Sequence, residues 1–348
     1  MFSLNNDQIA QVEKRSAVFN KILKSCLKVK KENILIISDY GKKDHQLAAM
    51  LGYGFYHAAR KKDVRVEIVF QEVKKGFMHA DKHVEKALNE LPPENIIILC
   101  VSKKLGRIGT IKSFRNFCKD KSHRFISTTG LEDAKTTHFD FFMEAMDINY
   151  SRIKKKGLAI KKKWDKAKRI RIKTEAGTDV TFDVEGMKSI ANIGVYGEKG
   201  FGGNLPSGEV YIPPKGYYGV NGKVVIDGSI KTSEGAHLLE EPVILHIKDG
   251  RVEKMEGKQA YLLDKSLKQS EDRAKYPYRV RHVGELGVGI NPGAVLIGST
   301  IMDEKVLGTA HVAIGSNSWF GGDIKTIFHG DQVFKNPRIF VDGELMRV

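Results

Sequence analysis

Four short apolar runs punctuate the first third of this chain, at residues 33–38, 64–70, 95–101 and 124–127, and helical periodicity fills the stretches between them. Ile9, Val12, Phe19, Ile22, Leu23, Cys26 and Leu27 recur at helical spacing ahead of the first run. Leu47, Leu51, Phe55 and Ala58 do the same between the first and second, within a helix expected over 46–59. Further helices are expected over 83–91 and 111–117. A strand buried on both faces shows a continuous apolar run, and strands separated by helices build βαβ units. The spacing therefore predicts an α/β N-terminal domain, residues 1–150, with a doubly wound parallel sheet.

Ligand loops in such a sheet lie at the carboxyl ends of its strands, here near Asp39 to Lys42 and Ser102 to Gly106. Neither loop has the spacing of a dinucleotide fingerprint or a phosphate loop, and Gly52-Tyr-Gly54 falls inside a helical pattern. A nucleotide site is not expected, and this half reads as a scaffold.

Beyond residue 165 the pattern changes to short alternating segments, 169–173, 180–184, 224–226, 243–247 and 252–255, with one helix expected over 259–275. Residues 151–348 are thus expected to form a β-rich α+β C-terminal metal-binding domain. The two are joined by a basic stretch, Arg152 to Lys173, which concentrates a net charge of +16. Its only aromatic is Trp164, and basic composition discriminates weakly between partners, so it reads as a solvated helix and linker rather than a nucleic-acid surface. No stretch has the length of apolar sequence that a membrane span needs, and the N-terminus has no signal-peptide pattern. Cys26, Cys100 and Cys118 are far apart and read as reduced, buried thiols, which places the chain in the cytoplasm.

The functional signal is a set of metal-binding residue types in the C-terminal third: Glu209, Glu285, His311, His329 and Asp331. Each is expected in a Gly- or Pro-rich turn. Carboxylates mixed with imidazoles suit zinc, cobalt, manganese or ferrous iron better than calcium. A Gly-flanked acid such as Glu209 is often only a turn residue. Glu285 sits among small and apolar residues and, if buried, needs a cation or several donors. His311 alone in an apolar strand more often bonds within a core than to a metal. His329 and Asp331, two apart, project to the same side of an extended segment and can reach one ion. His282 would face away from Glu285 and reads as structural. Five such groups exceed what one catalytic zinc takes, so two divalent metal ions sharing a carboxylate are the natural inference. A serine or cysteine nucleophile has no supporting motif.

Together, Asn204-Leu-Pro-Ser-Gly-Glu-Val210, Gly284-Glu-Leu-Gly-Val-Gly-Ile-Asn-Pro-Gly293, Leu307-Gly-Thr-Ala-His-Val-Ala-Ile-Gly315 and His329-Gly-Asp331 resemble the M29 family of metallo-aminopeptidases. The resemblance puts Glu209, Glu285, His311, His329 and Asp331 at metal-ligand positions. It implies a homodimeric two-metal hydrolase acting on peptide substrates. Two departures stand out: the family's tyrosine ligand is replaced by Ser318, and the chain is short for a peptidase member. Short relatives resembling this architecture include a ring-cleaving dioxygenase of dihydroxypyridine with a mononuclear iron site.

The expected activity is therefore an aminopeptidase in which metal-activated water attacks the scissile carbonyl. Glu285 and Glu209 would be its catalytic carboxylates, and Gly202, Gly203, Gly321 and Gly322 would admit substrate close to the backbone. The alternatives are a mononuclear iron dioxygenase using His311, His329 and Asp331, the two-histidine, one-carboxylate composition of non-haem iron enzymes, or a catalytically altered metal-binding relative.

Overall fold

The computed structural model describes residues 4–62, 64–109 and 113–347. The fold is mixed α/β, with one parallel sheet and two antiparallel sheets. The chain separates into two compact units, Met1–Tyr150 with Gly194–Ser207, and Ser151–Ile193 with Gly208–Val348.

In the first unit the parallel strands run in the order Val66–Gln71, Ile34–Asp39, Ile96–Cys100, Arg124–Thr128 and Gly202–Asn204. Ile34–Asp39, Ile96–Cys100 and Arg124–Thr128 are buried throughout, which is why their sequences read as unbroken rather than alternating runs. The fifth strand has the sequence Gly-Gly-Asn and no apolar pattern, so nothing local announces it. Gly202 lies where a Cβ would be 2.2 Å from the Phe125 carbonyl oxygen, and Gly203 where one would be 2.7 Å from the Tyr196 ring. These glycines serve strand packing inside the first unit rather than close approach of a substrate.

The N-terminal apolar pattern forms two helices, Asn6–Lys14 and Ser16–Ser25, the first closed by a capping box between Asn5 and Gln8. Leu47–Arg60 follows the first strand, and the helix described after the third strand is Phe114–Asp120. Ile111, where that helix was expected to begin, lies outside the described residues. At the carboxyl end of the first strand, buried Asp39 accepts hydrogen bonds from the backbone N–H and hydroxyl of Ser102, at 2.7 and 2.6 Å. The two loops that could have carried a ligand are thus bracketed to each other.

The second unit holds both antiparallel sheets. One runs Arg251–Glu256, Val243–Lys248, Val220–Ile226, Asp179–Asp183, Arg169–Lys173, Arg338–Val341 and Glu344–Met346. The other runs Ala236–Leu238, Ser229–Lys231, His329–Lys335, Thr309–Gly315, Val283–Gly289, Glu209–Ile212 and Ile190–Asn192. The basic stretch opens as the helix Tyr150–Trp164, which buries Ile153, Ile160 and Trp164 and leaves Lys154, Lys155, Lys162 and Lys163 exposed on its other side. Among the described residues no helix is long and apolar enough to cross a membrane. All three cysteines are free and buried, and burial pushes the Cys26 and Cys118 thiols up to about 12.

Packing in the first unit is tight at Gly54, where a Cβ would lie 2.1 Å from Cζ of fully buried Phe19. Alanine is the better helix former by about 1 kcal/mol, but overpacking a close core costs about 1–3 kcal/mol. Gly54→Ala is therefore expected to lower the urea midpoint despite its helix propensity. A raised midpoint would show that Phe19 yields without strain.

Candidate metal centre

Strand register collects the five predicted residues. In antiparallel sheets directly paired residues share a face, as do alternate residues along each strand. Glu209 pairs with Gly289, and Gly289, Gly287 and Glu285 alternate along their strand. Glu285 and Asp331 both pair with Ala313, His311 pairs with Gly287, and His329 pairs with Gly315. Glu209, Glu285, His311, His329 and Asp331 therefore project from one face. The opposite face carries Val210, Ile212, Leu286, Val288, Val312, Ile314 and Phe334, all fully buried. The five residues lie in strands: the turn expected around each is not found, while the strand read for His311 and the extended segment read for His329 and Asp331 are, and the glycines around them are sheet positions left without side chains.

Those small residues make the space. A Cβ at Gly287 would lie 2.0 Å from His311 Nε2, so the imidazole rests directly on the neighbouring backbone. Only alanine or glycine separates Glu285 from Asp331 and His329 within the sheet rows. His311 Nε2 lies 3.4 Å from Glu285 Oε1 and 3.9 Å from Glu209 Oε2. His329 Nε2 lies 3.8 Å from Glu285 Oε2 and 3.6 Å from Asp331 Oδ1. The other nitrogen of His329, Nδ1, bonds the Ser316 carbonyl at 2.8 Å, which directs Nε2 toward the carboxylates.

One ligand atom each from Glu285, His311 and Asp331 fall within 4.8 Å of one another, so this buried triad could hold one ion. The donor set fits a transition-metal ion: imidazole and carboxylate mixed, buried, and lacking enough internal donors to satisfy it. His311 Nδ1 is itself buried with no hydrogen-bond partner. Burial pushes the Glu285 carboxyl up, and the charge of Asp331 adds to it against the pull of His311. Burial alone would lower His311, but Glu285, Asp331 and Glu209 outweigh it and raise the imidazole. Asp331 is lowered overall, since His329 and His311 overcome the effect of its burial.

Three further members of the site carry no recognisable sequence signal. Lys305 is completely buried, and its Nζ lies 2.7 Å from Glu209 Oε1 and also contacts Glu304. Asn192 Nδ2 donates to the same Glu209 oxygen at 3.2 Å. Glu304 is pushed well above the carboxylate range by burial, with the nearby charges of Glu209 and Asp331 adding to it against the pull of Lys305. Gly289 explains how the lysine arrives, since a Cβ there would lie 2.1 Å from the Val306 carbonyl oxygen. The bare backbone opposite Glu209 admits the 305–306 segment. In the sequence, Asp303-Glu304-Lys305 looks like a solvated charged turn.

His282 stands apart, its Nδ1 bonded to the Tyr278 carbonyl at 2.9 Å and its ring against Tyr217. Ser318, where the resemblance implies a tyrosine ligand, is exposed in the turn Ser318–Phe320. Gly322 abuts the Asn317 carboxamide, so it too serves packing.

Two consequences are measurable. Gly287→Ala displaces the His311 imidazole and should weaken metal binding by roughly 10–100-fold, the scale of losing ligand support; unchanged affinity by competitive chelation would show that the imidazole has room elsewhere. Lys305→Met leaves Glu209 buried without its cation, a loss of about 3–5 kcal/mol, and adding Glu209→Gln should recover part of it in the same denaturation assay. A double variant no more stable than the single one would mean that the pair is not coupled.

Comparison with known proteins supplies the family. Two solved structures share the fold. A 2,5-dihydroxypyridine dioxygenase from Pseudomonas putida KT2440 matches with a TM-score of 0.74 at 16% identity, over 96% of this chain and 95% of that one. Wild-type AmpT from Thermus thermophilus matches with a TM-score of 0.66 at 13% identity, over 96% of this chain and 97% of that one. The M29 resemblance is thus supported in part, by the fold shared with AmpT. No curated protein matches the chain. The family profile of NicX, 2,5-dihydroxypyridine 5,6-dioxygenase, matches residues 143–347, a span that contains every residue of the metal centre. That match corrects the expectation of a hydrolysing metallo-aminopeptidase and points to an oxidoreductase whose cofactor is a metal. Well over half of its length lies within this profile, and the chain belongs to the NicX, 2,5-dihydroxypyridine 5,6-dioxygenase, family.

Proposed function

We propose that this protein is a ring-opening dioxygenase acting on a hydroxylated pyridine-type ring at a single metal ion. The family match over 143–347 carries the reading, because it spans Glu209 through Asp331. In the reaction that the family description names, both atoms of dioxygen enter the product and the bond between ring positions 5 and 6 breaks. The ring supplies the electrons, so no external reductant is needed. A bound ferrous ion would supply the means of bringing dioxygen and an electron-rich ring together at one centre.

His311, His329 and Asp331 would hold that ion, with Glu285 beside them. The two-histidine, one-carboxylate composition within this set is the one non-haem iron oxygenases use. Glu209 is occupied otherwise. Its Oε1 accepts from both Lys305 and Asn192, so its charge is balanced inside the protein without a second metal. Its Oε2, 3.9 Å from His311 Nε2, is the carboxylate oxygen placed to take a proton from a ring hydroxyl. Glu285, His311 and Asp331 are almost completely buried, whereas the His329 side chain is 26% exposed.

Protein loaded anaerobically with ferrous iron and then given 2,5-dihydroxypyridine and air should consume one dioxygen per ring lost, with one iron per chain by elemental analysis. His329→Ala should reduce turnover by about 100-fold or more, since even outer partners of a metal are worth roughly 10–100-fold. Folded, iron-loaded protein that takes up no oxygen with any hydroxypyridine would sink the assignment. Two metal equivalents in active protein would overturn the single-ion reading.

A further inference from the structure

Beside the exposed edge of His329 stands an indole that the metal centre does not use. Trp319 is 58% exposed, and its ring lies against the His329 imidazole at 4.6 Å between centroids and 73° between planes. It also meets Phe320 edge-on, centroid to centroid at 5.2 Å, and Phe320 meets Tyr211 at 5.2 Å edge-on. Tyr211 pairs with Gly287, so it projects from the same face as the ligand residues. A row of aromatic rings therefore runs from the metal-bearing face to the one partly open ligand, and its outermost member is an indole.

The turn that carries Trp319 is braced. Asn317 donates from Nδ2 to the Gly284 carbonyl at 2.9 Å and accepts from the Ile324 N–H at 2.8 Å. Its backbone N–H bonds the Ile324 carbonyl at 2.9 Å, and Gly322 N–H returns to the Asn317 carbonyl at 3.1 Å. Gly315 and Gly321 take the left-handed backbone conformation at the two ends, with φ of 101° each. The indole is thus presented on a preorganised support rather than on a loose loop. A large apolar ring held half in water gains nothing for folding, since burying it would be the favourable course. It gains for binding, because stacking a flat ring on an aromatic already in place requires little further ordering.

We propose that Trp319 is the stacking platform for the substrate ring, holding a planar aromatic heterocycle beside His329, the partly exposed neighbour of the buried triad. This rests on the ring-opening reading. It makes Trp319 a positioning and specificity residue that favours flat, unsaturated rings over flexible or saturated ones of equal size. Phe320 and Tyr211 back the platform, and the braced turn sets its distance from the ligand atoms.

The chain has two tryptophans, and the other, Trp164, is fully buried, so a water-soluble quencher reports on Trp319. The test uses iron-loaded protein under nitrogen with 2,5-dihydroxypyridine, its binding measured by calorimetry and its shielding of Trp319 by acrylamide quenching. Trp319→Ala should weaken binding by about tenfold or more, the scale of losing one ring-on-aromatic stack. Trp319→Phe should retain most of the affinity, and both variants should keep wild-type iron content. In air, the alanine variant should raise KM far more than it lowers kcat. Unchanged affinity in Trp319→Ala overturns the platform while leaving ring opening intact. Loss of iron in that variant also overturns it, since the indole would then be support for His329. If the wild-type protein binds and opens no hydroxypyridine, the ring-opening reading fails first and the platform with it.

Discussion

Three buried carboxylates share one sheet face with a buried imidazole, His311, and a partly exposed one, His329, and their charge must be compensated. Glu209, Glu285 and Asp331 are each about 95% buried, and an isolated buried carboxylate costs far more than a domain's net stability. The second unit answers with a fixed cation, Lys305, and a candidate ion-binding triad. Lys305 and Asn192 hold Glu209, while Glu285, Asp331 and His311 converge as a triad with His329 beside the two carboxylates. Replacing that arrangement with apolar residues would cost folding little, as buried ion pairs are weak contributors to stability. Its persistence in an otherwise apolar sheet is the physical mark of function.

This division of charge sets Glu209, paired with Lys305, apart from Glu285 and Asp331. A bridging carboxylate must be free to face two cations, and Glu209 already faces an ammonium. Glu285, His311 and Asp331 remain as a compact buried set of donors, with His329 beside them. The family match carries the ring-opening reading, and the role proposed for Trp319 builds on it.

Legibility in the sequence followed the range of the interactions involved. Buried parallel strands such as Ile34–Asp39 and Ile96–Cys100 were readable because both faces are apolar, and Leu47–Arg60 because one helical stripe is. Gly202–Asn204 was not, since a strand made of glycine has no side-chain pattern to read, and its place depends on pairing with Arg124–Thr128 far away in the chain. The ligand residue types stood out as polar groups among glycines, yet the glycines misled: they looked like turns and are the vacated positions of a sheet face. The reaction was left between hydrolysis and oxygen chemistry, since ligand types of this kind serve both, and the family match favours the alternative, a dioxygenase, over the peptidase first expected.

Local periodicity, set by neighbours a few residues apart, was enough to establish an α/β half, a β-rich half and a metal-binding inventory. Which of those residues share a face was decided by strand register, a property of pairs and not of single segments. Lys305 shows the limit most clearly. It reaches Glu209 across 96 positions of sequence, and only because Gly289 leaves the backbone bare beside it. Trp319 is the same case at the surface, one aromatic among many in the sequence until the fold sets it against His329. Burial, charge compensation and edge-on ring contacts arise between distant segments, so they exist only once the sheet has formed.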